Sequence, residues 1–183
     1  MASYCDFVKN LDEENLHRKY HDTEYGFPLH DDNKLFERLC LEINQAGLNW
    51  SMILGKKDNF HKAFHKFNIS KVAAYKEKDI DRLLSDEGII RNRLKITSVI
   101  ENAKRILELQ KEFGSFENWL DKHYPKTLEE WVKIFKKQFK FTGGEIVNEF
   151  LVSIGYLPNG HDKSCPVYKK IINQSPAWSQ KKR

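Results

Sequence analysis

One carboxylate in this chain stands where an apolar side chain belongs. It lies in the stretch YHDTEYGFPLHDDNKLFERLCLEINQAGLNW, residues 20–50. At about 100° per residue, Leu35, Leu39, Ile43 and Phe36 form one apolar stripe of a helix. Glu42 falls about 20° to the side of Leu35, whereas Glu37 and Asn44 fall on the opposite face. Taking a lone carboxylate out of water costs several kcal/mol unless something binds it, so a buried Glu42 is a functional candidate by its cost. Glu42 and Trp50 flank the Gly47 turn and can line one cavity, which Tyr20 and Tyr25 from the preceding segment can close. An acid among aromatic faces suits a flat, electron-poor ligand that donates hydrogen bonds, such as an alkylated purine carrying positive charge. A packed core with Glu42 paired to an arginine or lysine fits the same residues.

A second set has metal-ligand chemistry. His161 and Cys165 are four apart in a polar loop, PNGHDKSC, and Cys5 and His21 offer two more donors of the same kind. Together they complete a tetrahedral Cys2His2 set for Zn²⁺. A closed site of this type is structural and would tie the N-terminal segment to the C-terminal loop. Spacing alone leaves open the plainer alternative of free cysteines and surface histidines.

A third lies in GIIRNRLKI, residues 88–96. A tight turn at Gly88 followed by a helix opening with Arg91, Arg93 and Lys95 offers backbone N–H groups and positive charge to a phosphate. That is how a helix-hairpin-helix holds DNA by its backbone. An ordinary αα-hairpin with a basic surface has the same pattern.

The elements that must position these groups read as helices throughout. DEENLHRKYH (12–21) is a short helix; Asp31 or Asp32 caps a helix over 33–46, which Gly47 closes. Asn49 caps a helix running into NFHKAFHKF, with Phe60, Phe64 and Phe67 on one face. Short helices follow from Ser70 and over 77–85. A long amphipathic helix over about 91–112 presents Leu94, Ile96, Val99, Ile100, Ala103, Ile106 and Leu107. Ser115 starts another helix, and Thr127 with Glu130 forms a capping box for the next. Gly143 and Gly144 precede a helix over 145–155. Residues 1–173 are expected to form a single domain of two helical lobes around one pocket, and 174–183 a disordered basic tail. No strand alternation and no internal repeat is present, so the fold class is all-α.

Length and composition narrow the function classes. The 183 residues are 40% hydrophobic and 31% charged, enough for a core in a soluble domain. No apolar run approaches a membrane span and no signal pattern opens the chain, so a cytoplasmic protein without membrane partners is expected. Three cysteines, Cys5, Cys40 and Cys165, do not make a disulfide framework; Cys40 reads as a buried small hydrophobe. The net charge of +5 favours polyanionic partners.

YHDTEYGFP, LFERLCLEINQAGLNW, the segment through AFHKF, DEGIIRNRLKI and FKFTGGEIVNEFLVSIGYLPNGHDKSC resemble, in consecutive order, the bacterial DNA-3-methyladenine glycosylase I family. The resemblance spans residues 4–172. It implies a helix-hairpin-helix glycosylase fold, a monomer acting on double-stranded alkylated DNA, and excision of 3-methyladenine by monofunctional hydrolysis. It also implies zinc ligands at Cys5, His21, His161 and Cys165. Glu42 becomes the base-recognising and catalytic carboxylate, Tyr20, Tyr25 and Trp50 the pocket aromatics, and Gly88, Arg91, Arg93 and Lys95 the DNA-backbone contacts. The chain departs from the family pattern in two ways: Tyr25 stands where some members carry tryptophan, and Glu145 and Glu149 stand where others carry threonine and an aromatic. Glu145 is then either a second pocket acid, a water-orienting residue or a partner of its own helix dipole. A DNA-backbone binder without catalysis, and an interaction domain with neither property, are the competing classes.

Overall fold

The computed structural model describes residues 3–180. Every regular element among them is helical: α1 (Tyr4–Val8), α2 (Leu16–Thr23), α3 (Asp32–Gln45), α4 (Trp50–Gly55), α5 (Lys57–Ala63), α6 (Ile69–Ala73), α7 (Glu77–Leu84), α8 (Arg93–Phe113), α9 (Phe116–His123), α10 (Leu128–Gln138), α11 (Gly144–Ser153) and α12 (Pro166–Ile172). Among these residues no helix is long and apolar enough to cross a membrane. The chain divides into two compact units. The larger is His30–Val147; the other joins the segment up to Leu29 to the segment from Asn148 onward.

In the larger unit α3 is the central element, packed by α4, α6, α8 and α9. Asp31 caps it by accepting from the Lys34 N–H at 2.9 Å. Its burial is broader than a single stripe. Leu35, Phe36, Leu39, Cys40, Leu41 and Ile43 are buried, and so are Arg38, Glu42 and Asn44. Asn44, expected on the solvent side, is only 2% exposed and donates to the Cys40 carbonyl at 2.8 Å. A helix covered on most sides cannot keep a polar face, so each polar group along it needs its own partner.

The long helix α8 begins where Asn92 accepts from the Lys95 N–H. Ile96, Val99, Ile100, Ala103 and Ile106 are buried as the periodicity predicts, but Leu94 is 62% exposed and its place inside is taken by Lys95. The helix expected to run from Asn49 through the phenylalanines is instead broken at Lys56 and ends in a 3-10 turn at His65–Phe67. Positive φ at His65, Lys66 and Phe67 turns the chain there. Phe60, Phe64 and Phe67 are nonetheless all buried, Phe64 and Phe67 stacked at 5.7 Å, so packing overrides the local helical preference.

In the second unit α2 starts at Leu16, later than expected, because Asn15 caps it and Asp12 closes a turn onto the Glu14 N–H. Residues 174–180, expected as tail, carry a 3-10 turn at Ala177–Ser179. Trp178 packs beside Tyr168 on a cluster of Phe27, Cys165, Val167 and Ile171, which is why this part of the segment is ordered. Residues 181–183 lie outside the described part.

Candidate functional site

The second unit gathers the four expected metal ligands. Cys5 comes from α1 and His21 from the last turn of α2, His161 from the loop after α11, and Cys165 stands as N-cap of α12. One donor atom from each lies within 4.8 Å of the others; His21, His161 and Cys165 are buried and Cys5 is half-buried. His21 Nε2 is 3.3 Å from Cys5 Sγ and 3.8 Å from Cys165 Sγ, while His161 Nδ1 is 3.7 Å from both sulfurs. A tetrahedral ion with bonds of about 2.3 Å to sulfur and about 2.0 Å to nitrogen sets N···S edges of about 3.5 Å. The donors therefore fit one such ion.

The far nitrogen of each imidazole is also engaged. His21 Nδ1 meets Asp22 Oδ1 at 2.6 Å, and His161 Nε2 lies 2.7 Å from the Tyr25 carbonyl oxygen, to which it can donate. Such outer partners fix the tautomer and ring orientation of metal-binding histidines. Burial pushes the Cys5 thiol up to about 12, with the neighbouring Cys165 adding to the rise, and lowers His161 to about 4. A dication favours the opposite charge state at sulfur, and neutral imidazole is already the ligating form. A cavity of about 480 Å³ whose lining includes Cys5, His21, Asp22 and Cys165 gives access to the cluster.

Next to the cluster the same unit carries Tyr20 and Tyr25. Tyr20 is 3% exposed, and its ring lies 5.7 Å from that of Tyr25. The turn after Tyr25 depends on Gly26, which has φ +83° and would bring a Cβ within 3.2 Å of the His161 ring. Only glycine meets both demands.

Glu42 and Trp50 belong to the larger unit. Glu42 is 5% exposed. Trp50 opens α4 after the Asn49 cap, whose side chain accepts from the Met52 N–H at 2.9 Å. Arg38, 4% exposed, lies one turn before Glu42 on α3, the spacing at which a cation and an anion share a face.

Two of the four expected DNA-backbone residues are committed inside the fold. Lys95 is 5% exposed, and its Nζ donates to the carbonyls of Asn44 at 2.8 Å and Ala46 at 2.6 Å. The Gly88 N–H donates to Asp86 Oδ1 at 2.8 Å, and a Cβ there would stand 3.1 Å from Asn59. Gly88 thus serves close packing, and Lys95 caps the end of α3. Arg91 and Arg93 do reach solvent, Arg91 paired to Glu87 at 3.6 Å and Arg93 to Glu77 at 2.6 Å.

A methyladenine glycosylase model matches residues 10–133. The chain belongs to the methyladenine glycosylase family. DNA-3-methyladenine glycosylase 1 of Escherichia coli K12 is 38% identical, over 86% of this chain and 94% of that protein. DNA-3-methyladenine glycosylase of Haemophilus influenzae is 33% identical over 91% and 98%. Among solved structures, that of 3-methyladenine DNA glycosylase I from Staphylococcus aureus, described for its recognition of 3-methyladenine, superposes with a TM-score of 0.80. It is 31% identical over 90% of this chain and 95% of that one.

Within this family frame the structure adds Lys136, Lys140 and Asp22, to which the sequence did not point, and gives surroundings to Glu145 and Glu149, which it did. A second helix–turn–helix, α10 to α11, holds a cavity of about 530 Å³ lined by Lys136, Phe139, Lys140, Phe141, Thr142, Gly143 and Ile146. Its lysines sit in a run of ordinary surface charge, which hides them in sequence. Asp22, next to His21 in the chain, is the partner of His21 Nδ1. Glu149 accepts from the Tyr25 hydroxyl at 3.2 Å and from Asn148 Nδ2 at 3.1 Å. Glu145 is exposed in the first turn of α11, the position of a carboxylate that complements a helix dipole.

Proposed function

We propose that this chain releases 3-methyladenine from alkylated double-stranded DNA by hydrolysing the N-glycosidic bond, leaving an abasic site. What carries this function is an acid, Glu42, kept 5% exposed on the central helix of a chain of this family. N3 alkylation puts a positive charge on the purine, so the bond already has a good leaving group and little acid catalysis is needed. The damaged nucleotide leaves the stack; Trp50 in the larger unit, and Tyr20 and Tyr25 in the other, are the aromatic side chains offered to its base. Glu42 accepts hydrogen bonds from the exocyclic amine and, once the base is freed, from a ring N–H. Guanine presents an acceptor at the place of that amine and is disfavoured. Water attacks C1′ of an oxocarbenium-like sugar, and Glu42 acts through recognition and electrostatics. Lys95 is already spent on two carbonyls, which agrees with hydrolysis rather than a Schiff base.

Cys5, His21, His161 and Cys165 would hold a structural Zn²⁺, whose charge stabilises the thiolates and closes the second unit. The DNA backbone would meet Arg91 and Arg93, and the exposed Lys136 and Lys140 of the second hairpin. Incubation with methylated duplex followed by chromatography of released base tests the activity. Glu42→Gln, nearly isosteric, should slow release about ten- to a hundredfold, the worth of hydrogen bonds to a charged group. Wild-type release by a folded Glu42→Gln protein would remove Glu42 from the role.

A further inference from the structure

Tyr25 is held on several sides by its own unit. Its ring meets Tyr4 edge-on at 5.4 Å, Tyr20 at 5.7 Å and His161 at 5.7 Å, and its carbonyl faces His161 Nε2. Its hydroxyl donates to Glu149 Oε2 at 3.2 Å. The other oxygen of that carboxylate, Oε1, takes a hydrogen bond from Asn148 Nδ2 at 3.1 Å, which fixes the plane of the group. Glu149 sits on α11, 124 residues along the chain from Tyr25, so the hydrogen bond is tertiary and does not belong to a local turn.

A carboxylate on a phenol does two things. It removes the rotation of the hydroxyl and pins the ring, and it adds electron density to a π face that attracts cations. A neutral partner would pin the ring without the second effect. We propose that Glu149 is a positioning and specificity-determining residue: through the Tyr25 hydroxyl it orients that ring and strengthens its preference for a positively charged base. This rests on Tyr25 being one of the aromatic faces that receive the alkylated base.

The experiment is steady-state kinetics of 3-methyladenine release from methylated duplex for wild type, Glu149→Gln, Tyr25→Phe and the double variant, with thermal melts of each. Glu149→Gln keeps the volume and an acceptor oxygen but loses the charge; Tyr25→Phe keeps the ring but loses the link. Each should raise KM about three- to tenfold, the size of a cation–π contribution at a partly exposed site, with a smaller change in kcat. Because both variants break one connection, the double variant should be no worse than the poorer single. Melting temperatures close to wild type would accompany this result, since a merely structural role would lower them without a selective rise in KM. Two findings would overturn the proposal: a wild-type KM for Glu149→Gln, or single-variant effects that multiply in the double. If wild type releases base and Glu42→Gln is impaired while Glu149→Gln matches wild type, only the role of Glu149 falls. A wild-type chain that releases no base removes the glycosylase function and this proposal with it.

Discussion

Lys95 carries its ammonium to the carbonyl oxygens of Asn44 and Ala46, at the end of the helix that bears Glu42. Carbonyls in a last helical turn have no partner within the helix, and a cation there also meets the negative end of the dipole. Burial lowers the lysine's pKa, which agrees with an ammonium drawn out of water. Lys95→Met keeps the aliphatic stem and removes the donors. It should destabilise the protein by about 1–3 kcal/mol, the cost of leaving buried acceptors unpaired, seen as a lower Tm. The slope of log affinity against log salt for DNA should not move. A residue that neutralised a phosphate would behave the other way, holding Tm and losing about 0.9 from that slope. In sequence Lys95 looked like the third member of a basic cluster, because spacing shows which charges are near in the chain and not which carbonyls lie across the fold. Glu42 was legible because a carboxylate inside an apolar stripe is rare, although Arg38 and Asn44, equally buried on α3, were not.

Among the elements, α1, α2 and α12 are short, at five, eight and seven residues, and helices of that length are marginal without tertiary support. The four-ligand cluster supplies such support by joining Cys5 and His21, early in the chain, to His161 and Cys165, late in it. Purified protein should carry about one zinc per chain, by the four-ligand count. Cys165→Ser should lose most of that metal and melt at a lower temperature. Asp22→Ala, which removes the partner of His21 Nδ1, should weaken metal binding about 10–100-fold with every ligand in place. Full zinc content and an unchanged melt for Cys165→Ser would rule out this ligand set. Metal-stripped protein has a further signature. His161 is lowered from 6.5 to about 4 in the fold, so between those values the unfolded chain binds more protons than the folded one. Its contribution to stability is therefore present above pH 6.5 and is lost as pH falls toward about 4. Melts of chelator-treated protein at pH 7.5, 6 and 5 should decline in that order, and a flat series would contradict the buried neutral imidazole.

For the whole molecule, local chemistry carried the fold class: Asp31, Asn49, Ser115 and Thr127 each accept from a first-turn N–H. What stayed hidden depends on residues far apart in sequence. The positive φ angles at 65–67 exist because three phenylalanines stack, and Tyr25 meets His161 across 136 residues. The DNA-facing charge is hidden in the same way, since the 31 lysines and arginines against 26 acids say only that polyanions are favoured. Their placement separates the two hairpins. Arg91 and Arg93 are half exposed and already paired to carboxylates, whereas Lys136 and Lys140 are exposed beside the cavity that runs to Gly143 and Ile146. A cation that must leave a carboxylate to meet a phosphate releases fewer net counterions than one that was free in solution. Replacing Lys136 and Lys140 together by alanine should therefore lower the salt slope of duplex binding by about 1.8, twice the value for one phosphate. Arg91→Ala should lower it by less than about 0.9, for the same reason. Binding measured from 50 to 200 mM salt on undamaged duplex isolates this from base recognition. An unchanged slope in the lysine double variant, together with a full drop of about 0.9 for Arg91→Ala, would return backbone binding to the 88–96 hairpin.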